Sequence, residues 1–89
     1  MIIEVKKFGN LLSSRQTGKE AYAAFRPSLN ELSADEKIII DFSEVSTLTP
    51  SWADEFLTPI LKEYNTRVSI TNSDNPSVQA TLNFLESIK

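Results

Sequence analysis

Two pairs of adjacent carboxylates, Asp35–Glu36 and Asp54–Glu55, are the residues of this chain best suited by type to acid–base or metal chemistry. Sequence neighbours diverge by about 100° on a helix, so neither pair can readily share a metal ion or a proton. The chain has no histidine, the usual general base, and no cysteine, the most nucleophilic side chain. Its two glycines, Gly9 and Gly18, form no phosphate-binding loop. We therefore expect a non-catalytic protein without a metal or cofactor.

Ser51 lies at the predicted start of the second helix. It begins a Ser-x-x-Asp pattern with Asp54, which is typical of a helix N-cap, and Thr49 before Pro50 would cap the same helix equally well. Helix capping is therefore one interpretation of Ser51. Asp41, at the end of an apolar strand, is expected to accept hydrogen bonds from loop amides.

Arg15 and Trp52 are two further candidate contact residues. Arg15 follows Ser14 near the start of a predicted helix, where a cation opposes the helix dipole, which suggests a fixed partner such as Asp54, Glu55 or a bound anion. Trp52 lies outside the apolar stripe of its helix. It is expected either to pack under the first loop or to belong to a partner surface.

Three strands are expected to support these residues. Met1–Phe8 alternates in part, with Ile3 and Val5 on one face, and Arg67–Thr71 alternates in the same way. Lys37–Phe42 contains three consecutive isoleucines, which predicts a central strand covered on both faces.

Three helices alternate with these strands. Apolar residues recur with helical spacing over Ser14–Leu32 and Ser51–Tyr64, where Pro27 and Pro59 predict kinks or restarts. Asn75–Pro76 predicts the N-terminus of a last helix. The inward positions of this last helix are expected at Val78, Thr81, Leu82, Leu85 and Ile88.

The order β-α-β-α-β-α predicts an α/β fold with a mainly parallel or mixed sheet of three to five strands, Lys37–Phe42 being central. The carboxyl ends of parallel strands share one edge of the sheet, here called the rim. The rim carries Asn10–Arg15, Ser43–Ser51 and Asn72–Asn75, and ligands of open α/β sheets bind at this edge.

Composition restricts the class of partner. The 89 residues suffice for a single domain spanning residues 1–89. The net charge of −3 argues against nucleic acid and anionic membrane, which require a surplus of Lys and Arg. Apolar runs are too short for a membrane span, and no signal segment or cysteine indicates export, so we expect a cytoplasmic protein. The oligomeric state stays open.

The segment from Asp41 to Glu55 resembles the central strand–loop–helix of STAS domains and anti-sigma-factor antagonists. Asp41, Ser43 and Val45 match the Asp-x-Ser-x-Val turn of those proteins. Thr49–Trp52 occupies the position of their Asp-Ser-Ser-Gly helix start. The resemblance implies that Ser51 corresponds to the serine that is phosphorylated in those antagonists. Two interpretations of Ser51 therefore stand: a capping residue, or a residue that is phosphorylated or contacts a partner.

The chain is also similar to a smaller STAS-like family of unknown function, the DUF4325 type. The shared residues are Ser14, Arg15 and Gly18 near the first helix and the Ser-aromatic-Ala-Asp-Glu start of the second helix, Ser51–Glu55. The resemblance covers nearly the whole chain and implies a STAS-like fold.

Three functional hypotheses follow. The first is a regulatory protein–protein interaction module of the anti-sigma-antagonist kind, which docks an ATPase-like kinase or another regulator and is switched by phosphorylation of Ser51. The second is a sensor of a small anion or nucleotide at the rim, with Arg15 and the second helix receiving the anion. The third is a structural partner in a defence or toxin–antitoxin pair.

Overall fold

The computed structural model describes residues 1–88 and contains five strands, three α-helices and two short 3₁₀ helices. In chain order these are β1 (Ile2–Glu4), a 3₁₀ helix (Val5–Phe8), β2 (Leu11–Leu12), α1 (Arg15–Asn30), β3 (Ile38–Asp41), β4 (Thr47–Leu48), α2 (Pro50–Tyr64), a second 3₁₀ helix (Asn65–Arg67), β5 (Val68–Thr71) and α3 (Pro76–Ser87). The predicted α/β order is therefore confirmed.

The main sheet has the order β1-β3-β5, and both of its pairings are parallel. Ile3 lies beside Ile40, which lies beside Ile70, so isoleucines from all three strands are aligned across the sheet. The prediction that the isoleucine-rich segment Lys37–Phe42 forms the central strand is confirmed, with the strand itself limited to Ile38–Asp41.

Only one face of this sheet is fully covered. Ile38 and Ile40 are completely buried and join a single core cluster with the apolar residues of α1 and α2. On the other face Ile39 is only half-buried, and its neighbour Ile2 is 63% exposed. The prediction that both faces of the central strand are covered is wrong, because an apolar run in the sequence does not specify how many helical layers pack on the strand.

The first strand is shorter than the predicted Met1–Phe8. It ends at Glu4, and the chain then forms the 3₁₀ helix, which Gly9 ends with φ = 121°, a conformation that favours glycine. The chain continues into β2, which pairs in parallel with β4 in a separate two-stranded sheet. Strands of two residues carry no alternating pattern, so the sequence did not predict them.

The predicted breaks at Pro27 and Pro59 do not interrupt either helix. Both α1 and α2 continue through their prolines. A proline at position 59 removes one hydrogen bond from the helix ladder. Phe56 and Ile60, on either side of it, are fully buried, and their packing holds the two halves of α2 in one helix.

Helix α3 begins as predicted, since the Asn75 side chain accepts hydrogen bonds from the backbone N–H groups of Ser77 and Val78. Val78 is buried, and buried Thr81 donates its hydroxyl to the carbonyl of Leu48. The inward position predicted for Ile88 is wrong, because this side chain is 59% exposed.

Helices α1 and α2 approach each other most closely at Gly18. A methyl group placed on Gly18 would lie 2.5 Å from the backbone oxygen of Trp52, well inside normal contact distance. Gly18 lies inside α1 and is buried, so the short separation of the helices, not an unusual backbone angle, requires glycine here.

We expect Gly18→Ala to lower the free energy of unfolding by about 1–3 kcal/mol, measured by urea denaturation, because the methyl group would force the two helices apart. At an exposed helix position, by contrast, replacing glycine with alanine raises the free energy of unfolding by about 1 kcal/mol. Ala24→Gly, at an exposed position of α1, provides the control and should lose about 1 kcal/mol. A Gly18→Ala variant more stable than the natural protein would contradict the close approach.

Candidate functional site

The three predicted rim segments meet in the structure. The backbone N–H groups of Ser46 and Thr47 donate to the carbonyl of Asn10 at 2.9 and 3.0 Å. The Asn75 side chain donates to the carbonyl of Ser46 at 3.2 Å. Loops that follow β1, β3 and β5 are thereby joined at one edge, as the parallel arrangement predicts.

Asp41 organises the loops at this edge. Its carboxylate accepts hydrogen bonds from the Asn72 side chain and from the backbone N–H of Ser43, both at 2.9 Å. The bond from Asn72, followed by that from Ser43, lowers the pKa of Asp41 below its ordinary value. The expectation that Asp41 accepts bonds from loop amides is confirmed, and the residue has a structural role.

Thr49, and not Ser51, caps helix α2. The Thr49 hydroxyl accepts a hydrogen bond from the backbone N–H of Trp52 and donates to the carbonyl of Ser13 at 2.8 Å. It thus ties the start of α2 to the segment that precedes α1. Ser51 is half-buried at the second position of the helix, and its hydroxyl makes no hydrogen bond within residues 1–88. The capping interpretation of Ser51 is wrong.

We expect Thr49→Ala to lower the free energy of unfolding by about 0.5–2 kcal/mol, because it leaves the Trp52 N–H without its cap. Ser51→Ala removes no hydrogen bond seen in the structure and should change stability by less than about 0.5 kcal/mol. Thermal and urea denaturation of the two variants measure the difference. A larger loss for Ser51→Ala than for Thr49→Ala would contradict the assignment of the cap.

Arg15, the first residue of α1, contacts both carboxylates that were predicted as its partners. Its guanidinium donates to Asp54 at 3.0 Å and to Glu55 at 2.6 Å. The hydrogen bond from Arg15, followed by one from the hydroxyl of Thr58, lowers the pKa of Asp54, and the two carboxylates raise the pKa of Arg15. The predicted pairing is confirmed, and it joins the first turn of α1 to the first turns of α2.

Ser14 and Trp52 have structural positions. The Ser14 side chain caps α1 by accepting from the backbone N–H of Thr17 at 3.1 Å. Trp52 is only 1% exposed, and its ring stacks on Phe56 at a centroid distance of 5.0 Å. Of the two interpretations of Trp52, packing in the interior is confirmed. A role as a rim or partner contact is excluded for Trp52, because the close approach of α1 at Gly18 covers this part of α2.

An open groove between α2 and α3, which the sequence did not predict, lies next to the Arg15 contacts. Its volume is about 790 Å³, and Asp54 is one of its lining residues. The other lining residues are apolar (Leu61, Ile70, Leu82, Leu85 and Ile88) or polar (Thr58, Lys62, Asn65 and Glu86). Phe84 on α3 is 50% exposed. The position of Phe84 outside the inward stripe of α3 indicated an exposed apolar side chain from the sequence, but not the groove itself.

The site offers hydroxyl, carboxylate and guanidinium groups. Within residues 1–88, no three acidic side chains cluster closely enough to hold a metal ion. None of the helices in the same range combines the length and the apolar character needed to cross a membrane.

A parallel three-stranded sheet, helices packed on one face and a serine at the start of the helix after the central strand together define a STAS-like α/β domain. The family model of the STAS-like domain of unknown function (DUF4325) matches residues 18–78. The chain belongs to this family, as the sequence resemblance implied. The match includes Gly18, Ser51, Asp54 and Glu55, and begins after Ser14 and Arg15. Comparisons with curated proteins and with solved structures return no match.

Proposed function

We propose that this protein is a cytoplasmic, non-catalytic regulatory module that binds another protein, and that phosphorylation of Ser51 controls this binding. The observation that carries the proposal is the groove between α2 and α3, whose lining includes five apolar side chains and Asp54, one helical turn from Ser51. This arrangement resembles an anti-sigma-factor antagonist in placing a modifiable serine beside a protein-docking surface.

The exposed apolar side chains favour a protein partner. Phe84 on α3 and Ile88, which directly follows α3, are both at least half exposed. Leu82 and Ile70 line the groove. Aromatic and aliphatic side chains of this kind serve as anchors when they enter a complementary surface, where most binding energy is concentrated in a few buried residues. An ATPase-like kinase or another regulator is the partner that the family resemblance suggests.

The Ser51 hydroxyl is suited to modification because Thr49 provides the cap. A kinase would transfer the γ-phosphoryl group of a nucleoside triphosphate to the Ser51 oxygen. The bond to the β-phosphate breaks, the nucleoside diphosphate leaves, and the hydroxyl proton passes to the kinase or to solvent. The positive end of the α2 dipole would tolerate the phosphate.

The contacts of Arg15 argue against the alternative of an anion or nucleotide sensor. One guanidinium faces two carboxylates, Asp54 and Glu55, so the local formal charge is −1. A free anion would have to displace both carboxylates without the high effective concentration that a covalently attached phosphate has. A structural partner from a defence or toxin–antitoxin pair would also be a protein. The crosslinking experiment that tests the proposal would capture such a partner as well.

Site-specific photo-crosslinking in the native cell tests the proposal. A photoreactive amino acid at Phe84 should capture a defined protein, because this position is half exposed and adjoins Leu85, which lines the groove. The same amino acid at Ser69, exposed on the open face of the main sheet, is the matched control and should not capture it. Capture of the same protein with equal yield at both positions, or of none at Phe84, would refute the proposed surface.

A further inference from the structure

We propose that Arg15 is the receiver of a phosphate on Ser51, and that by binding it Arg15 releases Asp54 at the wall of the groove. The inference rests on the proposed function. It adds the residue that binds the phosphate on Ser51 and the contacts through which phosphorylation changes the docking surface.

The residues on either side of Arg15 contact the first turn of α2, which carries Ser51. On the N-terminal side of Arg15, the backbone carbonyl of Ser13 accepts a hydrogen bond from the hydroxyl of Thr49. On its C-terminal side, Gly18 lies against the backbone of Trp52. The backbone of Arg15 therefore lies alongside the first turn of α2. Its guanidinium nevertheless reaches Asp54 and Glu55, one turn further along α2.

Ser51 shares a helix face with the two carboxylates that hold Arg15. Asp54 and Glu55 are three and four residues after Ser51, and such residues are neighbours on a helix with about 5–6 Å between their Cβ atoms. Both carboxylates already bind the same guanidinium nitrogen, Nη1 of Arg15. A phosphate on Ser51 would therefore lie on the same face of α2 as the two carboxylates that Arg15 contacts.

A phosphate competes well for this guanidinium. It carries close to two negative charges and three acceptor oxygens, and it binds the arginine fork with two parallel hydrogen bonds. Asp54 and Glu55 each carry one charge at most. Arg15 is 54% exposed and begins a helix whose dipole disfavours a cation, so it is free to turn toward a stronger anion.

Release of Asp54 carries the change to the groove. One oxygen of Asp54 accepts from Arg15 and the other from the hydroxyl of Thr58, and both Asp54 and Thr58 line the groove. When Arg15 turns to the phosphate, Asp54 keeps its hydrogen bond from the Thr58 hydroxyl but loses its ion pair with Arg15. The wall of the groove then becomes more negative, while the charge of Lys62 continues to act on Asp54.

Nuclear magnetic resonance of the full chain, with phosphoserine placed at position 51 during synthesis, tests the receiver without a partner. We expect Arg15 to lower the second pKa of the phosphate about one unit below its usual value near 6. In Arg15→Gln, where only carboxylates face the phosphate, this pKa should exceed 6, and in Arg15→Lys it should be intermediate. Phosphoserine at exposed Ser69 is the control and should not respond to Arg15→Gln.

The carboxyl pKa of Asp54, measured by carbon resonance, is the second readout. It is depressed in the unmodified protein, chiefly by Arg15, and should rise on phosphorylation of Ser51. A phosphate pKa at Ser51 unaffected by Arg15→Gln would overturn the proposal, and so would an Asp54 pKa that stays depressed. Either result would leave the proposed docking surface intact, because crosslinking at Phe84 tests that surface in the unmodified protein.

Discussion

Replacing Trp52 with alanine is expected to lower the free energy of unfolding by about 3–5 kcal/mol, which makes it the most damaging single substitution that we predict. Trp52 is 1% exposed, stacks on Phe56 and has Phe8 within 6.1 Å between ring centroids. Its removal would leave a large cavity where the first turns of α1 and α2 meet. Urea denaturation followed by circular dichroism measures the loss, because the substitution removes the protein's one tryptophan fluorophore.

Trp52→Phe is the matched control, since it keeps an aromatic ring in the stack with Phe56 and should lose less than Trp52→Ala. A loss of less than about 1 kcal/mol for Trp52→Ala would mean that the side chain is not part of the core. The interpretation of Trp52 as a partner contact would then have to be restored.

Replacing Ile40 with alanine is expected to lower the free energy of unfolding by about 2–5 kcal/mol. Ile40 is fully buried in the central strand, between Ile3 and Ile70. Its sequence neighbour Ile39 faces the open side of the same strand, so Ile39→Ala should lose only about 1 kcal/mol. The pair of variants compares the two faces of one strand with the same chemical change.

Equal losses for Ile39→Ala and Ile40→Ala would contradict a sheet covered on one face. They would indicate that an additional layer covers Ile39 in solution. The comparison is made by urea denaturation of both variants at the same protein concentration, since association through the open face would depend on concentration.

The order and type of the main elements could be predicted because their apolar spacing is long and regular. The isoleucines around Ile39 indicated the central strand, and the stripe that includes Phe56 and Ile60 indicated α2. The number of layers on the sheet could not be predicted, because an apolar run has the same appearance whether one or both faces are covered. The short pairing of β2 with β4 depends on contacts between distant segments and leaves no local pattern.

For the candidate site, the contact of Arg15 with Asp54 and Glu55 could be predicted from two local facts. A cation at a helix start needs a partner, and segments that follow parallel strands share one edge. Which of the two interpretations of Trp52 holds could not be decided from the sequence, because its burial depends on how closely α1 approaches at Gly18. The groove depends on the angle between α2 and α3, for which a single sequence carries no signal.

The most direct test of the central claim compares the affinity of the captured partner for the unmodified protein and for the protein with phosphoserine at position 51. Calorimetric titration at equal folded fraction should show binding at least about tenfold weaker after phosphorylation, because negative charge is added beside the docking surface. Phosphoserine at Ser69 should leave the affinity unchanged. Equal affinities for the unmodified and the Ser51-phosphorylated protein would contradict the claim that Ser51 controls partner binding.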